Sequence, residues 1–252
     1  VTSFATLYGR RLYLNMVAGG FKNDLAALND ATPHDKRYAR LTEYTSVMKC
    51  LLSGRAPLNF EGEFYQIHQL TMIPALPPEL FPGILVSGSS EAGLATAQET
   101  GATAIEYPQP AAQYDGSSRR NGMAAGIRVG IIARQKEGEA WQIAIDRFPE
   151  DRKGTLTHQL AMKASDSVWH KTLSAIAAEG QGNNTYWLRP FETYKSFCPY
   201  LVGSYDHVAE ELANYIGLGY HTFILDIPPT EEELQHIRVV FDLASESQKA
   251  WQ

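Results

Sequence analysis

The feature that most limits the folds open to this chain is its alternation of apolar strand patterns with helical patterns. Five short apolar segments each precede a helical pattern, at residues 11–17, 83–87, 102–107, 126–134 and 221–227. Strands connected by helices run parallel, so the pattern predicts an α/β protein. It fits either an open doubly wound sheet or part of an eight-stranded (β/α)8 barrel. Two details favour the barrel: the chain begins inside a helical pattern with no strand before it, and no Gly-x-Gly-x-x-Gly turn follows the first strand.

Residues 83–93 form the clearest strand–turn–helix unit. Their sequence, Gly-Ile-Leu-Val-Ser-Gly-Ser-Ser-Glu-Ala-Gly, predicts a buried strand, a turn at Gly88 and a helix capped by Ser89 or Ser90. Free backbone amides at the start of a helix favour a bound anion, and neighbouring hydroxyls add donors. Taken alone, the motif fits either a capped helix or a phosphate site.

Other segments have equally direct local signals. Thr32 as N-cap and Pro33 at the first helical position predict a helix that continues to about residue 54. The remaining predictions are a hairpin with its turn at 61–62, helices over 137–148 and 156–178, a long lid-like loop over 180–200, and a last helix that begins with the capping box at Thr230.

Composition excludes several classes of function. The chain has 28 acidic and 22 basic residues and no extended basic patch, which argues against nucleic-acid binding. Its apolar runs are too short to cross a bilayer, so no membrane association is expected. Cys50 and Cys198 have no CxxC or metal-like neighbour, and their isolation is typical of a reducing cytoplasm. The seven histidines are scattered without a His-x-x-x-His pair, so no metal site is predicted.

Three sequence blocks, at residues 11–20, 34–38 and 87–92, resemble in order and spacing the bacterial luciferase-like flavin monooxygenases, especially the alkanesulfonate monooxygenase branch. Residues 126–128, 201–203 and 217–225 extend this resemblance over nearly the whole chain. The resemblance implies a single TIM-barrel domain over residues 1–252 that supplies about the last five βα units, plus insertions. In that family, roughly a hundred residues with three more barrel strands come before the point where this chain begins.

The resemblance also implies a reaction. A separate flavin reductase would supply reduced FMN, which adds O2 at its C4a carbon to give a peroxyflavin that oxygenates a small organic or carrier-bound substrate. The enzyme would be a cytoplasmic homodimer. Two alternatives stay open: a deazaflavin-dependent oxidoreductase of the same fold, and a non-catalytic flavin-binding protein.

The resemblance assigns the cofactor to five positions. Asn15 would contact the isoalloxazine or ribityl region, His34 and Tyr38 would approach the ribityl phosphate, and Ser89 and Ser90 would hold the phosphate itself. His34 and Tyr38 are four residues apart on a helix, so both can reach one ligand. The alternatives are a loop cap for Asn15, an exposed first-turn residue for His34 and a core aromatic for Tyr38.

Arg128 is the predicted catalytic residue. It matches an arginine that the sulfonate enzymes place near the flavin, where a fixed cation stabilises a developing anion. The alternative is that it pairs with a buried carboxylate. The family's histidine two residues later is Gly130 here, and its Tyr-Pro-His stretch is Pro-Pro-Thr at 228–230. These departures remove the groups that the sulfonate enzymes use for proton transfer and sulfonate binding.

Three residues are candidates for substrate contact. Tyr107 stands where the family has a tryptophan beside the substrate and would keep an aromatic wall. Arg189 and Lys195 fall near the family's anion-binding arginine. For these two residues the alternative is an ordinary solvated charge on a loop.

Overall fold

The computed structural model describes residues 1–55, 57–114, 122–179 and 185–250. The chain divides into two compact units, Val1–Ala104 and Ile105–Gln252. The first unit contains, in chain order, α1 (Thr2–Tyr8), β1 (Tyr13–Met16), α2 (Lys22–Ala27), α3 (His34–Leu52), β2 (Leu58–Glu61), β3 (Gln66–Leu70), β4 (Gly83–Ser87) and α4 (Glu91–Thr100). Strand β5 (Thr103–Glu106) spans the boundary between the units.

The second unit is built around one long strand. It contains β6 (Ala125–Arg134), α5 (Glu137–Arg147), α6 (Arg152–Ala164), α7 (Val168–Glu179), β7 (Tyr186–Trp187), α8 (Arg189–Glu192), β8 (Tyr200–Ser204), α9 (Tyr205–Gly217), β9 (Tyr220–Leu225) and α10 (Glu231–Ala250). The first half of β6 pairs in parallel with β9, and its second half pairs in parallel with β8. Short β7 runs antiparallel to β8.

The parallel arrangement in the first unit follows from the predicted βα pattern. Strand β1 pairs in parallel with β4, with Asn15 opposite Leu85. Ile84, Leu85 and Val86 are 8%, 7% and 0% exposed, as expected for a strand covered on both faces. The predicted strand and the helix after it are therefore confirmed, with α4 ending at the left-handed Gly101.

Helix α3 begins one residue later than predicted. Its N-cap is Pro33 rather than Thr32, and no side chain caps it. Thr32 has other partners, because its backbone N–H donates to Asp30 Oδ1 at 3.0 Å and its hydroxyl accepts from Arg40 at 3.4 Å. The prediction of a threonine cap is therefore wrong.

The predicted hairpin is confirmed, and α3 stabilises its turn. Strands β2 and β3 are antiparallel, and Gly62 N–H donates to the carbonyl of Tyr65 at 2.8 Å. The carboxylate of Glu43 accepts from the backbone N–H groups of residues 63, 64 and 65. These charge-assisted bonds lower the pKa of Glu43 despite the opposing effect of burial.

The second unit departs from the sequence prediction at three places. The helix predicted over 156–178 is interrupted at Ser165, which is extended and accepts from Ser167 N–H at 3.1 Å. The irregular loop predicted over 180–200 is wrong for residues 186–192, which form β7 and α8. Residues 180–184 of that prediction lie outside the described residues. Strand β8 was not predicted at all.

Candidate functional site

The turn between β4 and α4 has the features of a phosphate site. Ser90 caps α4 by accepting from Gly93 N–H at 3.2 Å. The hydroxyl of Ser89 is buried and has no hydrogen-bond partner within the described part of the chain. A buried hydroxyl without a partner costs free energy unless a ligand satisfies it. The positive end of ten-residue α4 lies beside it, so the preferred ligand is an anion.

Tyr38 from α3 packs directly against this turn. A Cβ atom at Gly88 would lie 2.2 Å from Tyr38 Oη, and one at Gly93 would lie 3.2 Å from Tyr38 Cε1. Glycine at both positions therefore allows the phenol to reach the turn. The ring of His34 meets that of Tyr38 edge-on, with centroids 5.1 Å apart, and His34 Nδ1 is 2.7 Å from Asp35 Oδ1. The structure thus groups four of the five predicted cofactor residues.

Asn15, the fifth predicted cofactor residue, lies at the carboxyl end of β1. Ser87 Oγ, at the corresponding end of β4, donates to Asn15 Oδ1 at 2.7 Å. This bond leaves the amide NH2 group of Asn15 available to a ligand. Asn15 also lines a pocket of about 280 Å³ in the first unit, together with Arg37, Arg40 and Tyr44.

These residues fit a phosphate monoester such as FMN. The turn offers an unsatisfied hydroxyl, the start of a helix and a close approach through glycine. The assignment of FMN to these positions, which are Asn15, His34, Tyr38, Ser89 and Ser90, stays a prediction.

In the second unit, Arg128 pairs with a carboxylate. Its Nη2 is 3.2 Å from Asp226 Oδ1, and the two side chains are 31% and 20% exposed. Sequence reasoning left this pairing open as the alternative for Arg128. Arg128 Nε is buried and has no hydrogen-bond partner among the residues that the structure describes. The guanidinium therefore keeps at least one donor that no described residue satisfies.

Sequence reasoning missed the residues that hold Asp226. Its second oxygen, Oδ2, accepts from Ser196 Oγ at 2.6 Å and from Tyr200 Oη at 2.9 Å. The ring of Tyr200 lies over Gly130, where a Cβ atom would be 2.3–2.5 Å from three ring carbons. Gly130 stands at the position of the family's histidine. Because it has no side chain, the ring of Tyr200 occupies the space beside it. Two features of the sequence could have indicated this cluster. One is the glycine at position 130 within an apolar strand, and the other is Asp226, which directly follows a second apolar strand.

Three titratable groups around Arg128 stay protonated near neutral pH, namely Tyr107, Tyr200 and Cys198. Burial is the main cause that raises the pKa of Tyr107, of Tyr200 and of Cys198, the last to about 12. Burial works against the charge of Arg128, yet Tyr107, Cys198 and Asp226 raise its pKa above the usual value. The site therefore combines one fixed cation, one carboxylate and neutral hydroxyl donors.

An aromatic pair stands beside this cluster. Tyr107 stacks on Trp169 with ring centroids 3.8 Å apart and an interplanar angle of 16°. Trp169 was not among the predicted residues, because it lies on a helix whose pattern indicated only a core face. The stacked rings form an apolar wall, and the role of Tyr107 in substrate contact stays a prediction.

The two predicted anion-binding residues have other partners. Lys195 Nζ pairs with Asp151 at 2.7 Å and is 51% exposed. The guanidinium of Arg189 lies over the ring of Trp187 at 5.7 Å. The alternative of an ordinary surface charge describes Lys195, and the role of either residue in substrate binding stays a prediction.

The described residues contain neither a candidate metal site nor a candidate membrane span. Over residues 1–55, 57–114, 122–179 and 185–250, no group of three His, Cys, Asp or Glu side chains is placed to hold a metal ion. No helix within the same ranges is long and apolar enough to cross a membrane.

Known proteins resemble this chain in sequence and in fold. The family model described as luciferase-like monooxygenase matches residues 1–222. The chain is 34% identical over 243 residues to the 4-(gamma-L-glutamylamino)butanoyl-[BtrI acyl-carrier protein] monooxygenase BtrO of Niallia circulans, covering 94% of this chain and 71% of that protein.

Two solved structures share the fold at low sequence identity. EDTA monooxygenase (EmoA) from Chelativorans sp. BNC1 superposes with a TM-score of 0.67 at 18% identity, over 98% of this chain and 69% of that one. An F420-dependent secondary alcohol dehydrogenase superposes with a TM-score of 0.60 at 13% identity, over 96% of this chain and 72% of that one. Together with the mostly parallel strands, these matches confirm an α/β fold that corresponds to part of a luciferase-like TIM barrel. The chain belongs to the luciferase-like monooxygenase family.

Proposed function

We propose that this protein is a two-component monooxygenase that uses FMNH2 and O2 to oxygenate a small organic or carrier-bound substrate. The observation that carries the proposal is the unsatisfied, buried hydroxyl of Ser89 at the start of α4, in a chain of a monooxygenase family. A buried donor at the start of a helix favours a phosphate group, which FMN has and riboflavin lacks. A separate reductase would deliver the reduced cofactor to a homodimer.

Each predicted residue has a defined task in this proposal. Ser89, Ser90 and the amides of α4 bind the phosphate, while Tyr38 and His34 border it. Asn15, oriented by its bond from Ser87, donates to the ring system or the ribityl chain. When bound, reduced FMN supplies the electrons that activate O2. Arg128, already paired with Asp226, offers a hydrogen-bond donor of its guanidinium to the reacting groups.

A carrier-bound substrate is the favoured class. BtrO is named for its action on an acyl group attached to a carrier protein, and it is 34% identical to this chain. The stacked pair of Tyr107 and Trp169 supplies an apolar wall of the kind that an acyl chain would contact. A thioester of pantetheine is therefore a suitable first substrate, since it contains the acyl group and the end of the carrier arm.

Oxygen uptake tests the reaction. The purified protein, FMN, NADH and a flavin reductase are mixed with 4-aminobutanoyl-pantetheine or 4-(γ-glutamylamino)butanoyl-pantetheine, and O2 consumption above the reductase background is recorded. We expect substrate-dependent uptake with a product that is heavier by one oxygen atom. Arg128→Ala should lower turnover at least tenfold while FMN affinity changes less than twofold. Exposed Arg238 on α10 supplies the matched control, Arg238→Ala, which should behave as the wild type.

Two outcomes contradict the proposal. Failure of FMN and FMNH2 to bind the folded protein would remove the cofactor, and unchanged turnover in Arg128→Ala would remove that residue from the reaction. Substrate oxidation with a deazaflavin and without O2 consumption would instead favour the deazaflavin-dependent class, to which one neighbour of the same fold belongs.

A further inference from the structure

The charge of Arg128 is neutralised inside its own site. Asp226 directly follows β9, and its backbone N–H donates to the carbonyl of Val129 at 3.1 Å, which fixes the aspartate beside Arg128 in the register of the sheet. The carboxylate then reaches Arg128 Nη2 at 3.2 Å. The arginine is therefore one half of an ion pair rather than an isolated cation.

The carboxylate is held in place from its other side. Ser196 Oγ and Tyr200 Oη both donate to Asp226 Oδ2, at 2.6 and 2.9 Å. Burial, followed by the charge of Asp226, raises the pKa of Tyr200, so the phenol remains a donor at all ordinary pH values. Because Oδ1 and Oδ2 are both bonded, the carboxylate cannot turn away from Arg128 when a ligand arrives.

This arrangement opposes a second anion. A carboxylate or sulfonate that approached Arg128 would come within a few ångströms of the fixed carboxylate of Asp226, where like charges repel strongly at reduced dielectric. An uncharged acceptor avoids that repulsion. It can accept from the guanidinium of Arg128, whose side chain is 31% exposed and whose Nε has no partner among the described residues.

We propose that Asp226 is a specificity-determining residue, which makes the region around Arg128 select an uncharged hydrogen-bond acceptor, such as an amide or thioester carbonyl, over a carboxylate or sulfonate. This inference rests on the proposed function, because it assumes that the substrate meets Arg128. It explains why a site with a conspicuous arginine lacks the other groups of the sulfonate enzymes. It also agrees with Arg189 and Lys195 having other partners.

The test uses two ligands of the same shape and different charge. Butanamide and butanoate are titrated at pH 7.5 and low salt into the full chain without flavin, and binding is followed by NMR. For the wild type we expect butanamide to bind at least tenfold more tightly than butanoate. In Asp226→Asn, which retains an acceptor for Ser196 and Tyr200, butanoate should bind at least tenfold more tightly than in the wild type. Asp242→Asn, an exposed site on α10, changes the net charge equally and should leave both affinities unchanged.

The wild-type preference needs no variant, so the proposal stays testable if Asp226→Asn does not fold. Equal or tighter binding of butanoate by the wild type would overturn it, as would an Asp226→Asn protein that is folded by circular dichroism but gains no butanoate affinity. Failure of the proposed function has a different signature. In that case FMNH2-dependent O2 uptake is absent while the amide preference, measured without flavin, persists.

Discussion

At the scale of the residue, His170 is a fully buried titratable group outside the candidate site. Its side chain is fully buried on α7, with ring centroids 5.3 Å from His158 and 5.2 Å from Phe191. Burial, followed by the charge of His158, lowers the pKa of His170 to about 4. Burial also lowers the pKa of His158. Both imidazoles are therefore neutral in the folded protein at pH 7.

We predict that this histidine makes the second unit sensitive to acid. The unfolded chain binds a proton at His170 near pH 6.5, whereas the folded chain binds it only near pH 4. Between these values the unfolded state holds more protons, so the free energy of unfolding falls as the pH falls, by up to about 3 kcal/mol from this group. His170→Gln should reduce this dependence, measured as urea unfolding at pH 7 and pH 4.5.

His68 supplies the control for that experiment. It is exposed on β3, so His68→Gln should leave the difference in unfolding free energy between the two pH values within about 0.5 kcal/mol of the wild type. If His170→Gln loses as much stability in acid as the wild type, the buried histidine is not the source of the acid sensitivity.

Separation along the sequence explains which site residues could be predicted. Gly88, Ser89 and Ser90 are consecutive, and His34 and Tyr38 are one helical turn apart, so local rules bring each set together. Asp226 is different, because 98 positions separate it from Arg128. Its other partners are Ser196, which precedes β8, and Tyr200, which begins β8. Only the pairing of β6 with both β8 and β9 joins them. That pairing is a property of the folded sheet.

At the scale of the element, prediction succeeded where a glycine marks the end of a helix or a tight turn. Gly9 and Gly101 end α1 and α4 in the left-handed conformation, and the hairpin turn at Gly62 closes as expected. Strand β8 was missed because its apolar residues, 200–204, follow a run of aromatics and prolines that indicates a loop. Its stability comes from the far half of β6 and from β7, which no short window of sequence contains.

We predict that Gly130 in β6 is required by Tyr200 and not by the strand itself. Gly130→Ala would press a methyl group into the Tyr200 ring, whose carbons lie 2.3–2.5 Å from the new Cβ. Overpacking of this kind costs about 1–3 kcal/mol of unfolding free energy. In a Tyr200→Leu background the same change should cost at least about 1 kcal/mol less, measured by urea unfolding as a double-mutant cycle.

Gly138 on α5 is the matched position for that cycle. A Cβ there meets no atom within 4 Å, so Gly138→Ala should be neutral or stabilising by up to about 1 kcal/mol. If Gly130→Ala costs the same with and without Tyr200, then the ring is not the reason for the glycine, and another constraint on β6 must be sought.

At the scale of the whole molecule, the predicted roles fall into two groups. All five predicted cofactor residues belong to the first unit, Val1–Ala104. Arg128, Tyr107, Arg189, Lys195 and the newly identified Asp226 belong to the second, Ile105–Gln252. Substitutions of the five cofactor residues should therefore change flavin affinity, and those around Arg128 should change turnover and substrate preference. Cofactor binding and chemistry can thus be tested by separate variants of one chain.

The last prediction concerns how the cofactor stabilises the whole protein. A ligand at a hundred times its dissociation constant adds about 2.7 kcal/mol to the free energy of unfolding, which for a chain of this size corresponds to a rise in Tm of about 5–10 °C. FMN should produce this rise, whereas riboflavin at the same concentration should produce less than half of it, because riboflavin has no phosphate for the turn before α4.

Ser89→Ala should narrow the difference in Tm between the two flavins, since the phosphate loses a buried donor. Ser3→Ala, on the exposed face of α1, should preserve the difference, and so should Arg128→Ala. Scanning calorimetry with both flavins gives the comparison directly. Equal stabilisation by riboflavin and FMN would mean that the turn at Gly88 only caps a helix, and that any flavin binds through its ring.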